Sequence, residues 1–162
     1  MRGQLNGYWK TEKSGVMKQF DIVVDFDGTC TAHDFPRVGQ DIGAQKVLRK
    51  LVAKGHRLIL FTMRSNMKDI TVDMTKVEKG FIPVEGDYLD DAVQWFKDND
   101  IPLYGIQVNP TQSTWTSSPK AYGQYIIDDA AVGCPTIYDP KISHRPFVDW
   151  SVMELLLKDL IE

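Results

Sequence analysis

Short apolar runs alternate along this chain with segments whose apolar residues recur at helical spacing. The runs are bounded by turn signals and predict strands at residues 20–25, 58–61, 103–108, 125–127 and 136–138. From Ala44 to Val52, apolar residues recur at i, i+3, i+4, i+7 and i+8, and residues 88–99 show a similar stripe. This spacing is typical of amphipathic helices. We expect Gly55 to follow the first helix as its C′ residue and Asp149 to cap a last helix.

The alternation of strands and helices indicates an α/β sandwich with a central, mostly parallel sheet and helices on both faces. Right-handed crossovers bring the carboxyl ends of the strands to one edge, where such sheets bind ligands. We expect a single domain over residues 19–162, preceded by a polar arm or edge element at 1–18. Residues 66–86 interrupt the alternation of predicted strands and helices as a small insertion. Their two apolar segments predict a hairpin.

Polar side chains follow the apolar runs at the edge where ligands are expected. Asp25 and Asp27 come directly after the first run and precede Gly28. Strand alternation points both carboxylates to one side, where a cation or a shared proton relieves their repulsion. Mg²⁺ suits this position, because one or two carboxylates and phosphate oxygens usually hold it. The alternative is a solvated acidic turn. The residues that come just after an apolar run are Asp25, Asp27, Thr62, Asp128 and Asp129.

Composition and charge narrow the class of protein. A chain of 162 residues with 43% apolar and 25% charged residues is typical of a globular domain with a buried core. The net charge of −3 argues against a general polyanion-binding surface. No apolar run approaches the roughly 18 residues that span a membrane, and residues 1–16 lack the apolar stretch of a secretory signal. Cys30 and Cys134 form neither a disulfide framework nor a zinc motif, so we expect a reduced, cytoplasmic protein.

The polar motifs, taken in order, resemble those of the haloacid dehalogenase-like superfamily of aspartate-nucleophile phosphohydrolases. Residues 25–31 match its first motif, D-x-D-G-T-x-T, in full. Residues 58–62 fit the second motif, an apolar strand ending in Thr or Ser, and Lys120 fits the lysine of the third. Residues 126–129 fit the fourth, an apolar strand followed by paired acids. The resemblance covers about residues 20–140 and implies a Rossmann-like sandwich. The short separation of Lys120 and Asp128 makes the chain similar to the smaller, cap-poor phosphatases of the superfamily.

The resemblance implies a Mg²⁺-dependent phosphohydrolase that cleaves a phosphate monoester. Asp25 would attack phosphorus and form an aspartyl-phosphate. Asp27 would protonate the leaving oxygen and then deprotonate the attacking water. Mg²⁺ would bind Asp25, the backbone carbonyl of Asp27 and Asp128. Asp129 would bind the metal through water or orient Lys120, and the reverse assignment of the two paired acids stays open.

Three residues are candidates for binding the phosphate. Thr62 would hydrogen-bond a phosphoryl oxygen, or it simply ends a strand. Lys120 would offset the charge shared by the attacking aspartate and the phosphate, or it is a solvated lysine; Lys141 fits the motif order poorly. Arg64 either binds the substrate phosphate or is a surface arginine. Residues 33–34 either line the mouth of the site or belong to a loop.

Substrate choice in this superfamily usually depends on cap insertions, and this chain has no room for a large one. A loop and one helix separate the first two strands, and residues 66–86 are too few for an independent domain. The resemblance therefore implies an open pocket for a phosphorylated small molecule or a phosphorylated macromolecule end. We expect no membrane partner. Nucleic acid is disfavoured by the net charge unless Arg64, Lys68, Lys76 and Lys79 line one face.

Two alternatives use the same residues. A phosphotransferase would pass the phosphoryl group from Asp25 to a second alcohol instead of water. A receiver-like module would respond to phosphate without turnover, since receivers also combine Asp, Thr and Lys with Mg²⁺. The phosphorylated aspartate of a receiver follows a middle strand, whereas Asp25 follows the first strand of the core.

Overall fold

The computed structural model of the protein describes residues 18–67 and 85–162. The predicted arm at 1–18 and the predicted hairpin within 66–86 lie almost entirely outside these residues. The described strands are β1 (Asp21–Val24), β2 (Arg57–Leu60), β3 (Leu103–Ile106), β4 (Tyr125–Ile127), β5 (Thr136–Ile137) and β6 (Phe147–Val148). The described helices are α1 (Ala44–Ala53), α2 (Tyr88–Asp98), α3 (Trp150–Leu156) and α4 (Lys158–Ile161). None of these helices combines the length and apolar character needed to cross a bilayer.

The ends of two helices follow signals in the local sequence. Gly55 stands just beyond α1 with a φ of 86°, the left-handed conformation that a C′ glycine adopts at low cost. Asp149 caps α3, because its carboxylate accepts hydrogen bonds from the backbone N–H groups of Ser151 and Val152. Both predictions are confirmed. The stripe of α1 that was predicted to be buried is buried at Ala44, Val47, Leu48 and Leu51.

Four strands form one parallel sheet in the order β3-β2-β1-β4. The central strand β1 pairs with β2 on one side and with β4 on the other. An α/β fold with a central parallel sheet is thus confirmed. The predicted fifth strand exists, but β5 pairs antiparallel with β6 in a separate two-stranded ribbon and does not extend the sheet.

The helices of the described residues pack on one face of the sheet, where they share a core with Ile22, Val24, Leu58 and Leu60. The steps from β1 to β2 and from β2 to β3 run in one direction, so right-handed crossovers put α1 and α2 on the same side. The step back from β3 to β4 crosses the opposite face. There residues 107–124, which contain a single 3₁₀ turn at Gln112–Thr114, replace the predicted helical layer.

The β5–β6 ribbon and the start of α3 support the loop that follows β1. The backbone N–H of Val148 donates to the carbonyl of Gly28 at 2.8 Å. The indole Nε1 of Trp150 donates to the carbonyl of Thr29 at 2.7 Å, and this bond is buried. These two bonds satisfy backbone carbonyls that would otherwise be orphaned, and so they fix the loop that carries the D-x-D-G-T motif.

Candidate functional site

Three carboxylates meet at the carboxyl-terminal edge of the sheet. Asp25 directly follows β1, and Asp128 and Asp129 directly follow the adjacent strand β4. The backbone N–H of Asp25 donates to the carbonyl of Ile127 at 3.0 Å, so the ladder continues to the first carboxylate. One oxygen of each of the three half-buried acids lies within 4.8 Å of the others. The topology therefore brings together residues that are about a hundred positions apart in the sequence.

Thr29 links the two strand ends that carry these acids. Its hydroxyl donates to Oδ2 of Asp25 at 3.1 Å and accepts from the backbone N–H of Asp129 at 3.0 Å. This hydroxyl holds one oxygen of Asp25 in place, and the other oxygen accepts from no side chain that the structure describes. We did not single out Thr29 from the sequence, although it stands in the fully matched first motif.

Gly28 is required by its surroundings as well as by its backbone. Its φ of 81° is left-handed, and a Cβ at this position would overlap the imidazole of His33 and the carboxylate of Asp129. That imidazole and that carboxylate are themselves paired, with Nε2 of His33 3.0 Å from Oδ2 of Asp129. Residues 33 and 34 therefore fit different alternatives, the first at the mouth of the site and the second in the loop. His33 contacts the site, while Asp34 pairs with Arg37 in an exposed part of the loop.

We expect Gly28→Ala to lower the free energy of unfolding by more than backbone strain alone explains. Gly133 makes a matched control, because it has a φ of 88° and no described atom lies within 4 Å of the place that a Cβ would take. Gly133→Ala should cost about 1 kcal/mol of unfolding free energy, and Gly28→Ala about 2–3 kcal/mol because His33 and Asp129 must also move. Urea unfolding of both variants measures the difference. Equal losses would show that the close approach of the His33 ring is without consequence.

Burial and neighbouring charge act on Asp25. Removal from water, and then the charges of Asp128 and Asp129, raise its pKa from the ordinary 3.8 to about 7, against the opposing hydrogen bonds from the Phe26 backbone and the Thr29 hydroxyl. Without a bound cation, the ionisation of Asp25 beside Asp128 and Asp129 therefore costs free energy. A bound divalent cation would remove this cost, and three carboxylate oxygens are the hard ligands that such a cation prefers.

Asp27 is bound by Arg64 and does not belong to the group of three acids. Nε and Nη2 of Arg64 donate to the two oxygens of Asp27, both at 2.7 Å. This is the two-pronged arrangement that gives an arginine–carboxylate pair its strength and its fixed direction. The side chain of Arg64 is only 1% exposed and that of Asp27 is 20% exposed. The predicted role of the Asp27 backbone carbonyl in metal binding concerns a different atom and stays a prediction.

The other donors of Arg64 are also occupied. Nη2 donates to the carbonyl of Arg37 at 2.7 Å, and Nη1 donates to the carbonyls of Pro36 and Tyr88 at 3.2 and 3.5 Å. The alternative of a surface arginine is therefore wrong, because the side chain is buried. Direct binding of a substrate phosphate is disfavoured as well, since it would require Arg64 to give up a bond to Asp27 or to a buried carbonyl. Arg64 instead joins the loop after β1, the end of β2 and the start of α2.

Thr62 lies two residues beyond the end of β2, and Gln107 fixes its backbone. Oε1 of Gln107 accepts from the backbone N–H of Thr62 at 2.9 Å, and its Nε2 donates to the carbonyls of Thr62 and Arg64 at 2.6 and 3.1 Å. Gln107 itself has a left-handed φ of 62°, a conformation that a non-glycine residue rarely adopts. The sequence signal that could have identified Gln107 is its position directly after β3, at the edge where Thr62 follows β2 by two residues.

Lys120 lines a groove together with Trp115 and Ile126, on the sheet face that residues 107–124 cross. Strand alternation places Ile126 on the same face as Val23 and, two residues further along β1, Asp25. Lys120 is exposed, and within residues 18–67 and 85–162 its ammonium group makes no ion pair. Its predicted approach to Asp25 stays a prediction. Lys68, Lys76 and Lys79 lie outside the described residues.

The fold and the site together define an α/β protein with a three-carboxylate cluster at the carboxyl-terminal edge of a parallel sheet. The chain is similar to a solved structure of a conserved protein coded by a locus of Bacteroides thetaiotaomicron, with a TM-score of 0.60 and 27% sequence identity. The alignment covers 88% of this chain and 92% of that protein. No protein-family model matches the sequence, and neither does any curated protein.

Proposed function

We propose that the protein is a Mg²⁺-dependent phosphatase that cleaves a phosphate monoester through an aspartyl-phosphate. The observation that carries this proposal is the meeting of Asp25, Asp128 and Asp129 at the end of adjacent parallel strands. Asp25 is the candidate nucleophile because Thr29 holds only one of its oxygens. The resemblance of residues 25–31 to the first motif of the haloacid dehalogenase-like superfamily points to the same chemistry. A cytoplasmic location is part of the proposal, and both Cys30 and Cys134 are free thiols.

The reaction divides into two displacements at phosphorus. A free oxygen of Asp25 forms a bond to phosphorus while the bond to the leaving alcohol breaks and the alcohol oxygen takes a proton. Water then forms a bond to phosphorus, gives up a proton, and displaces the carboxylate of Asp25. Mg²⁺, when bound by Asp25, Asp128 and the Asp27 carbonyl, with Asp129 acting directly or through water, would neutralise charge on the phosphoryl oxygens.

The chain's own residues supply proton transfer and orientation in this scheme. Asp27 is the candidate for the proton steps, because each carboxylate oxygen has a second lone pair beside the one that accepts from Arg64. Thr62 is the candidate donor to a phosphoryl oxygen. Its Oγ1 accepts from the backbone N–H of Arg64 at 3.2 Å, so its own proton can point to a ligand. Lys120 would offset the charge of the phosphorylated Asp25.

The assay that tests the proposal is turnover of an aryl phosphate with and without a divalent cation. We expect Mg²⁺-dependent release of inorganic phosphate, loss of the activity in EDTA, and recovery when excess Mg²⁺ is returned. A competing alcohol in the same assay separates hydrolysis from transfer, because a transferase would form a new phosphate ester. Folded protein that turns over neither an aryl phosphate nor a panel of phosphate monoesters in Mg²⁺ would contradict the proposal.

A further inference from the structure

A polar pocket of about 370 Å³ lies beside the three-carboxylate cluster, on the other side of His33. One wall is the loop that follows β1, and the other is the loop between β5 and β6. Its polar lining comprises His33, Asp34, Gln40, Lys141, Ser143 and His144. His33 belongs to both places, because it lines the pocket and its Nε2 contacts Asp129. We call this space the 141–144 pocket.

One hydrogen bond joins the two walls of the 141–144 pocket, and backbone bonds order each wall. Nε2 of Gln40 donates to the carbonyl of Ile142 at 3.2 Å across the pocket. In the far wall, the backbone N–H groups of Ile142 and Ser143 both donate to the carbonyl of Asp139 at 3.0 Å. In the near wall, the N–H of Ala32 donates to the carbonyl of Gln40 at 3.0 Å. The backbone of both walls is therefore ordered before any ligand binds.

The charges of the pocket favour an anion, although the whole chain carries a net charge of −3. Lys141 is exposed, and its ammonium group makes no ion pair with any residue that the structure describes. The acid that lines the pocket, Asp34, already accepts two hydrogen bonds from Arg37, at 2.9 and 2.8 Å. The exposed ring of His144 lies 6.3 Å from the ring of His33, so two imidazoles and one ammonium group surround the same space.

We propose that the 141–144 pocket binds a second phosphate on the leaving group of the substrate. This inference rests on the proposed function and adds to it a substrate class, namely a monoester whose alcohol also carries a phosphate or a phosphodiester. The phosphate to be cleaved lies at Asp25, and the rest of the substrate extends past His33 towards Lys141 and His144. The ammonium group of Lys141 and a ring N–H of His144 are candidate donors to ionised phosphate oxygens, whereas Nε2 of His33 is already paired with Asp129. The volume exceeds that of one phosphate, so the pocket also has room for part of the carbon skeleton.

The test is a comparison of kcat/KM between paired substrates with one and two phosphates. Thymidine 3′,5′-bisphosphate is compared with the two thymidine monophosphates, and a trithymidylate with one terminal phosphate provides a phosphodiester in place of the second monoester. We expect the wild-type protein to prefer at least one doubly charged substrate by about 10–100-fold, since one or two charged hydrogen bonds contribute that much. A preference for the bisphosphate alone indicates a small metabolite, and a preference for the trinucleotide alone indicates a nucleic acid end.

The variant arm uses Lys141→Ala combined with His144→Ala, beside Lys97→Ala as the control. Lys97 is an exposed lysine in the last turn of α2, and it does not line the 141–144 pocket. The double variant should reduce the preference to about 3-fold or less, while Lys97→Ala should keep it. Calorimetric titration of Asp25→Asn with the same ligands measures the preference as a ratio of Kd values without turnover.

The outcomes separate this inference from the proposed function. Mg²⁺-dependent turnover of monophosphates with no preference for a second phosphate would overturn the inference and leave the phosphatase in place. A preference that survives in the double variant would also overturn it, because the second phosphate would then bind elsewhere. If no substrate is turned over, the proposed function fails, and the titrations of Asp25→Asn decide whether the pocket binds the second phosphate.

Discussion

Asp25→Asn is expected to lower the turnover of an aryl phosphate by at least about 10³-fold, because an amide cannot attack phosphorus as a carboxylate does. The change preserves the shape of the side chain and can still accept the Thr29 hydroxyl, which donates at 3.1 Å. The measurement is phosphate release at saturating Mg²⁺, with Asp159→Asn as the control. Asp159 is an exposed residue of α4 that belongs neither to the acid cluster nor to the 141–144 pocket. Activity within tenfold of the wild type in Asp25→Asn would exclude an aspartyl-phosphate at this position.

The same substitution should stabilise the metal-free protein at neutral and alkaline pH. The pKa of Asp25 is raised from 3.8 to about 7 in the folded protein, chiefly by burial. Between these two values the folded state holds a proton that the unfolded state releases, so the free energy of unfolding falls as the pH rises. The contribution is fully present below about pH 4 and is lost above about pH 7, with a ceiling of roughly 4 kcal/mol.

Asp25→Asn removes this pH-dependent loss. We expect the variant to exceed the wild type by about 2 kcal/mol in urea unfolding at pH 8 in EDTA, and to show little difference near pH 4. Mg²⁺ should reverse the order at pH 8, because only the wild type has the full ligand set and gains stability from the cation. A wild type that remains the more stable protein in EDTA at pH 8 would contradict the electrostatic cost assigned to the acid cluster.

Arg64→Met is expected to destabilise the protein by about 3–5 kcal/mol, because it leaves a largely buried carboxylate without its cation. Asp27 is 20% exposed and would lose both of its 2.7 Å bonds. The carbonyls of Pro36 and Arg37 would lose their donor as well. Chemical denaturation of the metal-free variant measures the loss. Turnover should also fall, since the loop after β1 and the end of β2 are no longer joined.

Arg37→Met is the matched control for this second prediction. Arg37 also binds a carboxylate through two nitrogens, but its side chain is 78% exposed and that of Asp34 is 42% exposed. Water and ions screen such a pair, so its loss should change stability little. The double variant Arg64→Met, Asp27→Leu should recover part of the loss, because no unpaired charge remains. If Arg64→Met is no less stable than Arg37→Met, the pair with Asp27 has no structural importance.

Local patterns in the sequence were sufficient for the regular elements. The apolar runs became β1, β2, β3 and β4 within one or two residues, because a buried strand needs little more than a short apolar segment between turn signals. Gly55 and Asp149 marked helix ends because a left-handed C′ residue and an N-cap carboxylate are local requirements. The helical cover of the second sheet face failed as a prediction for the described residues, since residues 107–124 cross that face mainly as a loop.

The sequence by itself determined which polar residues stand at strand ends, and hence that acids from β1 and β4 would share one edge of a parallel sheet. Only the tertiary structure decided how these acids are divided: Asp25 joins Asp128 and Asp129, while Asp27 turns to Arg64. The physical reason is that the two kinds of interaction join residues at different separations along the chain. Strand and helix signals act between residues a few positions apart, whereas the partner of a buried charge is chosen by whichever distant side chain the packing brings within hydrogen-bond reach.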